Sequence, residues 1–389
     1  MKKKLNIAVL GSGFMGRAHS NAWLMVSKFF DLPFEPVLKI NFGTDMELTK
    51  EFADQWGYDQ ISSDWEEVIN SRDIDVVDIV TPTYIHIDMA VAAAKAGKHI
   101  FCEKPCATTY VQAKEMAEAA QQAGIVHYLN HNYRRVPAVA LAKQLIEQGR
   151  IGTIYHWIGT YLQDWIMDPN FPLTWHLQEK FAGGGPLFDL GSHSIDLARF
   201  LVGEIESVTA VNKTFIEERP LPGQRAATFS SGGVVNSETG KVSVDDASFL
   251  ITEFDNGAVG SIAVTRFAGG RKNYNTFELY GSKGSLRFCF EQMNELQFCD
   301  FTESADEQGF KTISVTNATH PYGSAWWAPG HVIGYENTFF HAVADFLKAV
   351  ADGTEVTPNF FDGEKIIRTI EAAKRSSREQ RKVKVTEVC

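Results

Sequence analysis

The chain has 389 residues, more than one hydrophobic core usually organises, and this length favours two domains. Hydrophobic residues make up 44% and charged residues 22% of it, a balance typical of an ordered globular protein. The formal net charge of −11, without a basic stripe, argues against a nucleic-acid partner, and no stretch is apolar enough to predict a membrane span.

The start of the chain and its cysteines point to the same compartment. Met1–Lys4 and the apolar residues after it have the charge pattern of a signal peptide, but the run breaks at Gly11 after about six residues, which is too short. Five cysteines, an odd number, lack the spacing of a disulfide framework or a zinc site. We therefore expect the cytoplasm as the compartment and predict no metal.

The first predicted strand ends in a glycine-rich turn. Gly11, Gly13 and Gly16 have the spacing G-x-G-x-x-G, and a helical pattern follows over residues 17–30. Strand, turn and helix in this order bind a dinucleotide pyrophosphate, because glycine lets the backbone approach the phosphates and the helix offers free N–H groups. The turn therefore predicts a dinucleotide site.

The next elements repeat the same alternation. Further apolar strands, separated by helical patterns, are predicted at residues 36–42, 73–80, 98–102 and 125–132. This rhythm predicts an α/β domain with a doubly wound parallel sheet, whose functional loops lie at the carboxyl ends of the strands. We assign residues 1–133 to this Rossmann domain.

The pattern changes after residue 133. Strands are predicted at 153–161 and repeatedly over 205–315, where Asn256-Gly257 between apolar runs is a strong hairpin signal. The stretch 217–241 is predicted as a surface excursion. Helices are predicted at 138–148, 332–350 and 362–379. Residues 134–389 are therefore predicted to form an α+β domain with a large, open, mostly antiparallel sheet.

A lysine follows the fourth predicted strand. Lys104 stands between Glu103 and Pro105 at a carboxyl strand end, where ligands of such sheets bind. Lysine is more often a solvated loop residue. The position favours the other interpretation, a proton donor or hydroxyl ligand beside the reactive ring of the cofactor.

A second candidate site follows Gly183-Gly-Gly. Asp189, His193 and Asp196 have the spacing i, i+4 and i+7 of one helix face. A carboxylate at Asp189 can orient the imidazole of His193 and raise its basicity. The alternatives are a polar face with an acid near a helix N-terminus, and a metal site that lacks further ligands.

These motifs together resemble a known family. The glycine turn, Thr81-Pro82-Thr83, Glu103-Lys104-Pro105 and Asp189…His193 occur in the order found in the Gfo/Idh/MocA (glucose–fructose oxidoreductase / inositol dehydrogenase) family, and the resemblance extends over nearly the whole chain. Within the family, the stretches 13–20, 132–143 and 159–165 resemble the levoglucosan dehydrogenase-type sugar dehydrogenases.

The resemblance implies NAD as cofactor, with NADP as the open alternative. The residue usually expected at the end of strand two is an acid, whereas this chain has Gly43 and Thr44 there, with Asp45 one step beyond. The implied cofactor-binding residues are Gly11, Gly13, Phe14, Met15, Gly16, Thr44, Thr81, Pro82, Thr83, His86, Glu103, Lys104 and Asn132.

The resemblance also implies an activity, namely oxidation of a secondary hydroxyl of a sugar, anhydrosugar or polyol. His193 would remove the hydroxyl proton, Lys104 would hold the oxygen and Asp189 would orient the group. Aromatic and polar side chains suit a sugar ring, and the further substrate-binding candidates are Tyr133, Arg134, Trp165 and Trp175. The family implies a homodimer or homotetramer formed through the open sheet.

Two alternatives to this activity stay open. The same fold also occurs in NAD-using glycoside hydrolases, which oxidise their substrate transiently and release a glycosidic group. A non-catalytic, dinucleotide-binding regulator would bind the cofactor without turnover.

Overall fold

The structure is a computed structural model that describes residues 2–222 and 238–389. Its strands are β1 (Lys3–Leu10), β2 (Phe34–Phe42), β3 (Gln60–Ser62), β4 (Val76–Ile79), β5 (His99–Cys102), β6 (His127–Leu129), β7 (Ile154–Leu162), β8 (Ile205–Lys213), β9 (Glu218–Pro220), β10 (Thr239–Lys241), β11 (Ala247–Phe254), β12 (Val259–Thr265), β13 (Tyr274–Gly281), β14 (Gly284–Cys289), β15 (Glu295–Asp300), β16 (Lys311–Ser314) and β17 (Val383–Lys384). Its α-helices are α1 (Phe14–Phe29), α2 (Met46–Trp56), α3 (Trp65–Asn70), α4 (His86–Lys95), α5 (Tyr110–Ala123), α6 (Pro137–Glu147), α7 (Glu179–Ala182), α8 (Pro186–Asp189), α9 (Gly191–Leu201), α10 (Tyr335–Asp352) and α11 (Phe360–Glu379).

The chain divides into two compact units, each built from three segments. The first unit contains Met1–Ala107, Val111–Arg135 and Tyr322–Lys365, and the second contains Thr108–Tyr110, Val136–Pro321 and Ile366–Cys389. A boundary after residue 133 falls close to Arg135. Residues Tyr322–Lys365, from the last part of the chain, also belong to the first unit. A single boundary in the sequence therefore cannot separate the two units.

Within the described residues, the first unit has a six-stranded sheet in the order β3-β2-β1-β4-β5-β6. Every pair of neighbours is parallel. This is the strand order of a Rossmann fold, so the predicted doubly wound sheet is confirmed. Strand β3 was not predicted, because it is three residues long and only partly buried.

The core of the first unit explains why its strands were readable from the sequence. The last residues of β1 are wholly buried, as are those of β4, and helices on both faces of a parallel sheet require such continuous apolar runs. Helix α10 belongs to this core. Its Phe339, Phe340 and Phe346 join the same buried cluster as Trp23 of α1.

In the second unit, the described residues form a nine-stranded sheet in the order β16-β15-β14-β13-β7-β12-β11-β8-β17. The pair β7 and β12 is parallel, and its other neighbours are antiparallel, so the mostly antiparallel sheet is confirmed. The predicted Asn256-Gly257 hairpin joins β11 to β12, and a second hairpin joins β13 to β14.

Alternation along the strands gives this sheet two different faces. Helices α6, α8 and α9 pack on one face, against β7, β11, β12, β14 and β15. On β11, buried residues alternate with the exposed Phe249 and Ile251. The ends of the predicted excursion 217–241 form the antiparallel pair β9 and β10, and its middle lies outside the described residues.

No helix within residues 2–222 and 238–389 is both long enough and apolar enough to cross a membrane.

Candidate active site

The glycine turn of the first unit has the geometry that a bound dinucleotide needs. Gly11 adopts φ +128°, which side chains disfavour, and a Cβ on Gly16 would lie 2.7 Å from the carbonyl oxygen of Gly11. A Cβ on Gly13 would meet nothing within 4 Å, so the backbone there borders open space. Gly11 is therefore required by its backbone conformation and Gly16 by close packing, whereas Gly13 leaves room for a ligand.

Helix α1 begins directly at this open space. Its N-cap is Gly13, which has no side chain to occupy the free N–H groups, and its first turn contains no acidic residue. Phe14 is 52% exposed at the first helical position, and Met15 is partly buried against the core. A 16-residue helix whose N-cap makes no side-chain hydrogen bond attracts a phosphate, so these residues fit a dinucleotide.

The loop after β2 carries an acidic residue, Asp45, that caps the next helix. Asp45 Oδ1 accepts hydrogen bonds from the N–H groups of Glu47 (3.1 Å) and Leu48 (3.2 Å), and thereby caps α2. Thr44 and Asp45 are both exposed. The carboxylate therefore lies in the loop at the carboxyl end of β2, where the adenosine ribose of a bound dinucleotide is expected.

The loops after β4 and β5 are joined by a buried histidine. The ring nitrogens of His86 lie 2.8 Å from the carbonyl oxygen of Thr81 and 3.0 Å from that of Pro105. Burial lowers the pKa of His86, which favours the neutral ring. The predicted cofactor residues Thr81 and Thr83 are thus held next to the loop of Lys104, with Thr83 itself buried.

Behind Lys104 lies a buried charge cluster that the sequence analysis did not identify. His19 of α1 has Nδ1 at 2.9 and 3.0 Å from the two carboxylate oxygens of Asp78, and Nε2 at 2.9 Å from Glu103 Oε1. The backbone N–H of Lys104 donates to Glu103 Oε2 at 3.1 Å. The only hint was an acid, Asp78, inside the apolar run of β4.

The junction residues after β6 are buried and engaged within the first unit. Asn132 Nδ2 donates to Thr338 Oγ1 at 2.9 Å, and Arg134 forms an ion pair with Asp362 at 3.2 Å. Tyr133 and Arg134 are 3% and 4% exposed. Contact of these two side chains with a substrate therefore stays a prediction.

In the second unit, the glycine run brings the chain close to a partly buried acid, Asp245. Asp245 accepts hydrogen bonds from the backbone N–H groups of Gly185 (2.9 Å) and Leu187 (2.8 Å), at the start of α8. A Cβ on Gly185 would lie 1.9 Å from the carbonyl oxygen of Asp245. Only glycine fits there, and the contact fixes the short helix that ends at Asp189.

Asp189 pairs with an arginine that the sequence analysis did not identify. Arg266, which follows β12 and is 1% exposed, donates from Nη2 to Asp189 Oδ2 at 2.6 Å. The side chain of Asp189 stays 34% exposed. This carboxylate is thus held by a buried cation and still reaches solvent. Because the two residues are 77 positions apart, no local pattern could indicate the pair.

His193 lies on α9, as predicted, and is 5% exposed. Leu190, between α8 and α9, has φ −88° and ψ −40°, so helical backbone connects Asp189 to His193. The ring of His193 lies 6.0 Å from the ring of Tyr161, whose hydroxyl donates to Asn273 at 2.6 Å. Asp196, at the third position of the predicted face, is buried at 1% exposure.

The aromatic candidates of the second unit lie close together. The guanidinium of Arg266 lies 4.9 Å from the centre of the Trp165 ring. His176 connects the two tryptophans, since its ring lies 5.9 Å from Trp165 and 3.7 Å from Trp175. Arg219, wholly buried, donates to the carbonyl oxygen of Ile166 at 2.6 Å and thereby holds this loop.

No group of three or more His, Cys, Asp or Glu side chains in the described parts of the chain is arranged to hold a metal ion.

Comparison with known proteins identifies the relatives of this chain. It is 44% identical over 388 residues to levoglucosan dehydrogenase from Pseudarthrobacter phenanthrenivorans, which covers 99% of both chains. It is 30% identical over 251 residues to 1,5-anhydro-D-fructose reductase from Ensifer adhaerens, covering 62% of this chain and 65% of that protein. A solved structure of levoglucosan dehydrogenase in complex with NADH and levoglucosan matches with a TM-score of 0.93 at 44% identity, covering 98% of this chain and 100% of that one.

Two family models match in the order that the motifs predict. Residues 5–131 match the model described as an oxidoreductase family with an NAD-binding Rossmann fold. Residues 139–287 match the model of the GFO/IDH/MocA C-terminal domain. The chain therefore belongs to the GFO/IDH/MocA family of oxidoreductases.

Proposed function

We propose that this oxidoreductase uses NAD to oxidise a secondary hydroxyl of a sugar, and that anhydrosugars such as levoglucosan are its substrate class. The observation that carries this proposal is the 44% identity to levoglucosan dehydrogenase over 99% of both chains. The TM-score of 0.93 to that enzyme in complex with NADH and levoglucosan supports it.

The first unit holds the cofactor in this proposal. The N–H groups at the start of α1 and the open backbone at Gly13 receive the pyrophosphate, and the loop of Thr44 and Asp45 receives the adenosine ribose. When bound, the nicotinamide supplies the acceptor for the hydride that leaves the hydroxyl-bearing carbon. The loops of Thr81 and Lys104 border the same carboxyl edge of the sheet.

In this proposal, three side chains accept the proton, stabilise the developing negative charge and orient the sugar. His193 takes the proton from the substrate hydroxyl, because an imidazole side chain can both accept and release a proton and so suits a general base. Lys104 stabilises the negative charge that develops on the same oxygen. Asp189, held by Arg266 through Oδ2, keeps an exposed side with which to accept a hydrogen bond from another hydroxyl and orient the sugar.

The aromatic loop of the second unit is proposed to bind the sugar ring. Trp165 lies beside Arg266, the partner of Asp189, and both tryptophans contact the imidazole of His176. This combination matches a ring with apolar C–H faces and a rim of hydroxyls. Tyr133 and Arg134 are proposed as further substrate contacts.

We further propose that the uncovered sheet face binds a second copy of the chain, giving a dimer or tetramer. Val211 on β8 lies directly opposite Phe249 on β11, and both are more than half exposed at 64% and 53%. Ile251 on β11 and Val259 on β12 extend this apolar face. All five cysteines are free thiols, which supports the cytoplasm as the proposed compartment.

The function is tested with a panel of sugars, polyols, anhydrosugars and glycosides, each assayed with NAD and with NADP. We expect reduced nicotinamide to accumulate with an anhydrosugar and NAD, as followed by its absorbance. Cleavage of a glycoside without net NADH would instead indicate a glycoside hydrolase. Cofactor binding without turnover on any compound would indicate a regulator and contradict the proposal.

A further inference from the structure

The first unit contains a buried histidine, His19, that the reaction, as proposed above, does not use. His19 is wholly enclosed between Asp78 and Glu103, with each ring nitrogen within 3.0 Å of a carboxylate oxygen. Trp23 Nε1 donates to Asp78 Oδ2 and Asn130 Nδ2 donates to Glu103 Oε1, both at 2.7 Å. The two carboxylates are thus bonded on several sides, and His19 bridges them.

The electrostatics favour an imidazolium at this position. Burial opposes a charged ring, but the charges and hydrogen bonds of Asp78 and Glu103 outweigh it and raise the pKa of His19 to about 10. Burial likewise opposes ionisation of Glu103, and the hydrogen bond and charge of His19 outweigh it and lower the pKa of that carboxyl. Each ring nitrogen lies within hydrogen-bond distance of a carboxylate oxygen, and the protonated ring can donate to both carboxylates at once.

The hydrogen bonds of His19 connect it, through Glu103, to the backbone of Lys104. His19 lies on α1, five positions after its first residue Phe14, while Asp78 lies on β4 and Glu103 directly follows β5. Glu103 Oε2 accepts the backbone N–H of Lys104 at 3.1 Å. The helix that starts at the glycine turn is therefore bonded through one imidazolium to the loop that carries Lys104.

We infer that His19 is a positioning residue, which fixes the Glu103-Lys104 turn relative to α1 and so sets where the Lys104 amine can act. The inference rests on the proposed role of Lys104. Buried ion pairs are weak evidence of stability, and in some proteins their role is to specify a geometry. Here a single ring is bonded to one carboxylate on β4 and to another directly after β5.

Other titratable groups near the cluster do not replace the cation. Asp78 and Glu103 are the acids that contact His19, and its aromatic neighbours are Phe101 and Phe339. Further groups interact with these acids over a longer range, namely Lys104, His86, Cys102 and Tyr58. Without His19, two buried carboxylates would face each other with no cation between them.

The test compares His19→Asn with His127→Gln, which removes another buried histidine of the same unit. His127 accepts the N–H of Phe360 at 3.2 Å and has no carboxylate partner among the hydrogen bonds of the described residues. With a sugar that the substrate panel shows to be oxidised, we expect H19N to lower kcat by about tenfold or more. The Kd for NADH, from fluorescence titration, should change by less than about threefold. H127Q should change neither.

A double-mutant cycle with Lys104→Ala decides whether the effect passes through the lysine. If His19 acts by placing Lys104, H19N should slow the K104A enzyme by less than about twofold. A kcat for H19N within about twofold of the parent, or a further tenfold loss on top of K104A, would overturn the inference.

A measurement that needs no substrate separates this inference from the proposed function. The rate at which acetic anhydride modifies Lys104, followed by mass spectrometry, should change at least about threefold in H19N and stay unchanged in H127Q. If the parent oxidises no sugar, the proposed function fails, and this labelling rate alone decides the inference. An unchanged labelling rate in folded H19N would contradict it.

Discussion

The two units support their proposed catalytic residues with different kinds of ion pairing. In the first, His19 is shared by two carboxylates, and the side chains of His19, Asp78 and Glu103 are 0%, 0% and 6% exposed. In the second, Arg266 is equally buried, but its partner Asp189 is 34% exposed. One cluster is enclosed on all sides, and the other has one open side.

This difference indicates two kinds of support. An enclosed cation can bond only to the protein, so the cluster of the first unit fixes backbone, namely the turn before Lys104. A carboxylate with an exposed side can be held by the protein and still exchange hydrogen bonds with a ligand. We therefore expect mutations of the first cluster to act on geometry, and mutations of the second to act on substrate binding and turnover together.

The largest effect is expected from His193→Ala, which removes the proposed base. Loss of a general base costs about 10²–10⁴-fold in rate, so kcat should fall by that amount while the Kd for NADH is retained. His156→Ala is the matched control, since His156 lies on β7 of the same unit and stacks on Tyr280 at 5.1 Å. Turnover of H193A within about twofold of the parent would remove His193 from the catalytic role.

The next largest effect is expected in the second unit, from loss of the ion pair between Arg266 and the partly exposed Asp189. Arg266→Met leaves Asp189 without its buried cation, and we expect kcat/KM for the sugar to fall by about 100-fold, with Arg266→Lys intermediate. Arg199→Met is the control, because Arg199 is also buried, at 4% side-chain exposure, and pairs with the 45% exposed Glu204. Both Arg-to-Met variants should lose thermal stability, so equal losses of kcat/KM would show that Arg266 acts on the fold alone.

A third prediction concerns pH and separates the enclosed cation from an ordinary buried histidine. The pKa of His19 is raised from 6.5 to about 10, so its stabilisation is complete below pH 6.5 and is lost as the pH rises through 10. Burial lowers the pKa of His127 from 6.5 to about 4, so stability is lost there as the pH falls below 6.5.

Unfolding midpoints of the parent, H19N and H127Q, measured across this pH range, test both predicted pH dependences of stability. The difference between the parent and H19N should shrink between pH 6.5 and 10, and the difference between the parent and H127Q should vary only below pH 6.5. A difference between the parent and H19N that stays constant up to pH 10 would show that His19 carries no charge in the folded protein.

Much of the fold was readable from the sequence, because local patterns produce it. The buried run of β1, the glycine turn and the Asn256-Gly257 hairpin each depend on neighbours in the chain. Strand β3 was missed because three partly buried residues show no periodicity. The membership of α10 in the first unit was missed because it depends on packing against α1, which no local pattern records.

The candidate site also contains residues that local patterns predict and residues that they do not. Lys104, Asp189 and His193 follow from motifs with fixed spacing, and the structure puts each at the predicted strand end or helix. Their supports were not predicted. His19 and Asp78 are 59 positions apart, and Asp189 and Arg266 are 77 apart, so these pairs arise only when the sheets are assembled.

The smallest effect is expected from replacing Asp45, which is an exposed carboxylate in the first unit. Asp45→Ser retains an N-cap for α2 but removes the negative charge from the loop where the adenosine ribose is expected. Because that charge repels a 2′-phosphate, the ratio of kcat/KM for NADP to that for NAD should rise by about tenfold or less.

Asp64→Ser provides the control, because Asp64 caps α3 in the same way, accepting from the N–H groups of Glu66 and Glu67 at 2.9 and 3.2 Å. It follows the edge strand β3, whereas the adenosine ribose is expected at the end of β2, where Asp45 lies. Asp64→Ser should therefore leave the cofactor ratio unchanged. Equal shifts in both variants would mean that helix capping, and not the charge of Asp45, sets the preference for NAD.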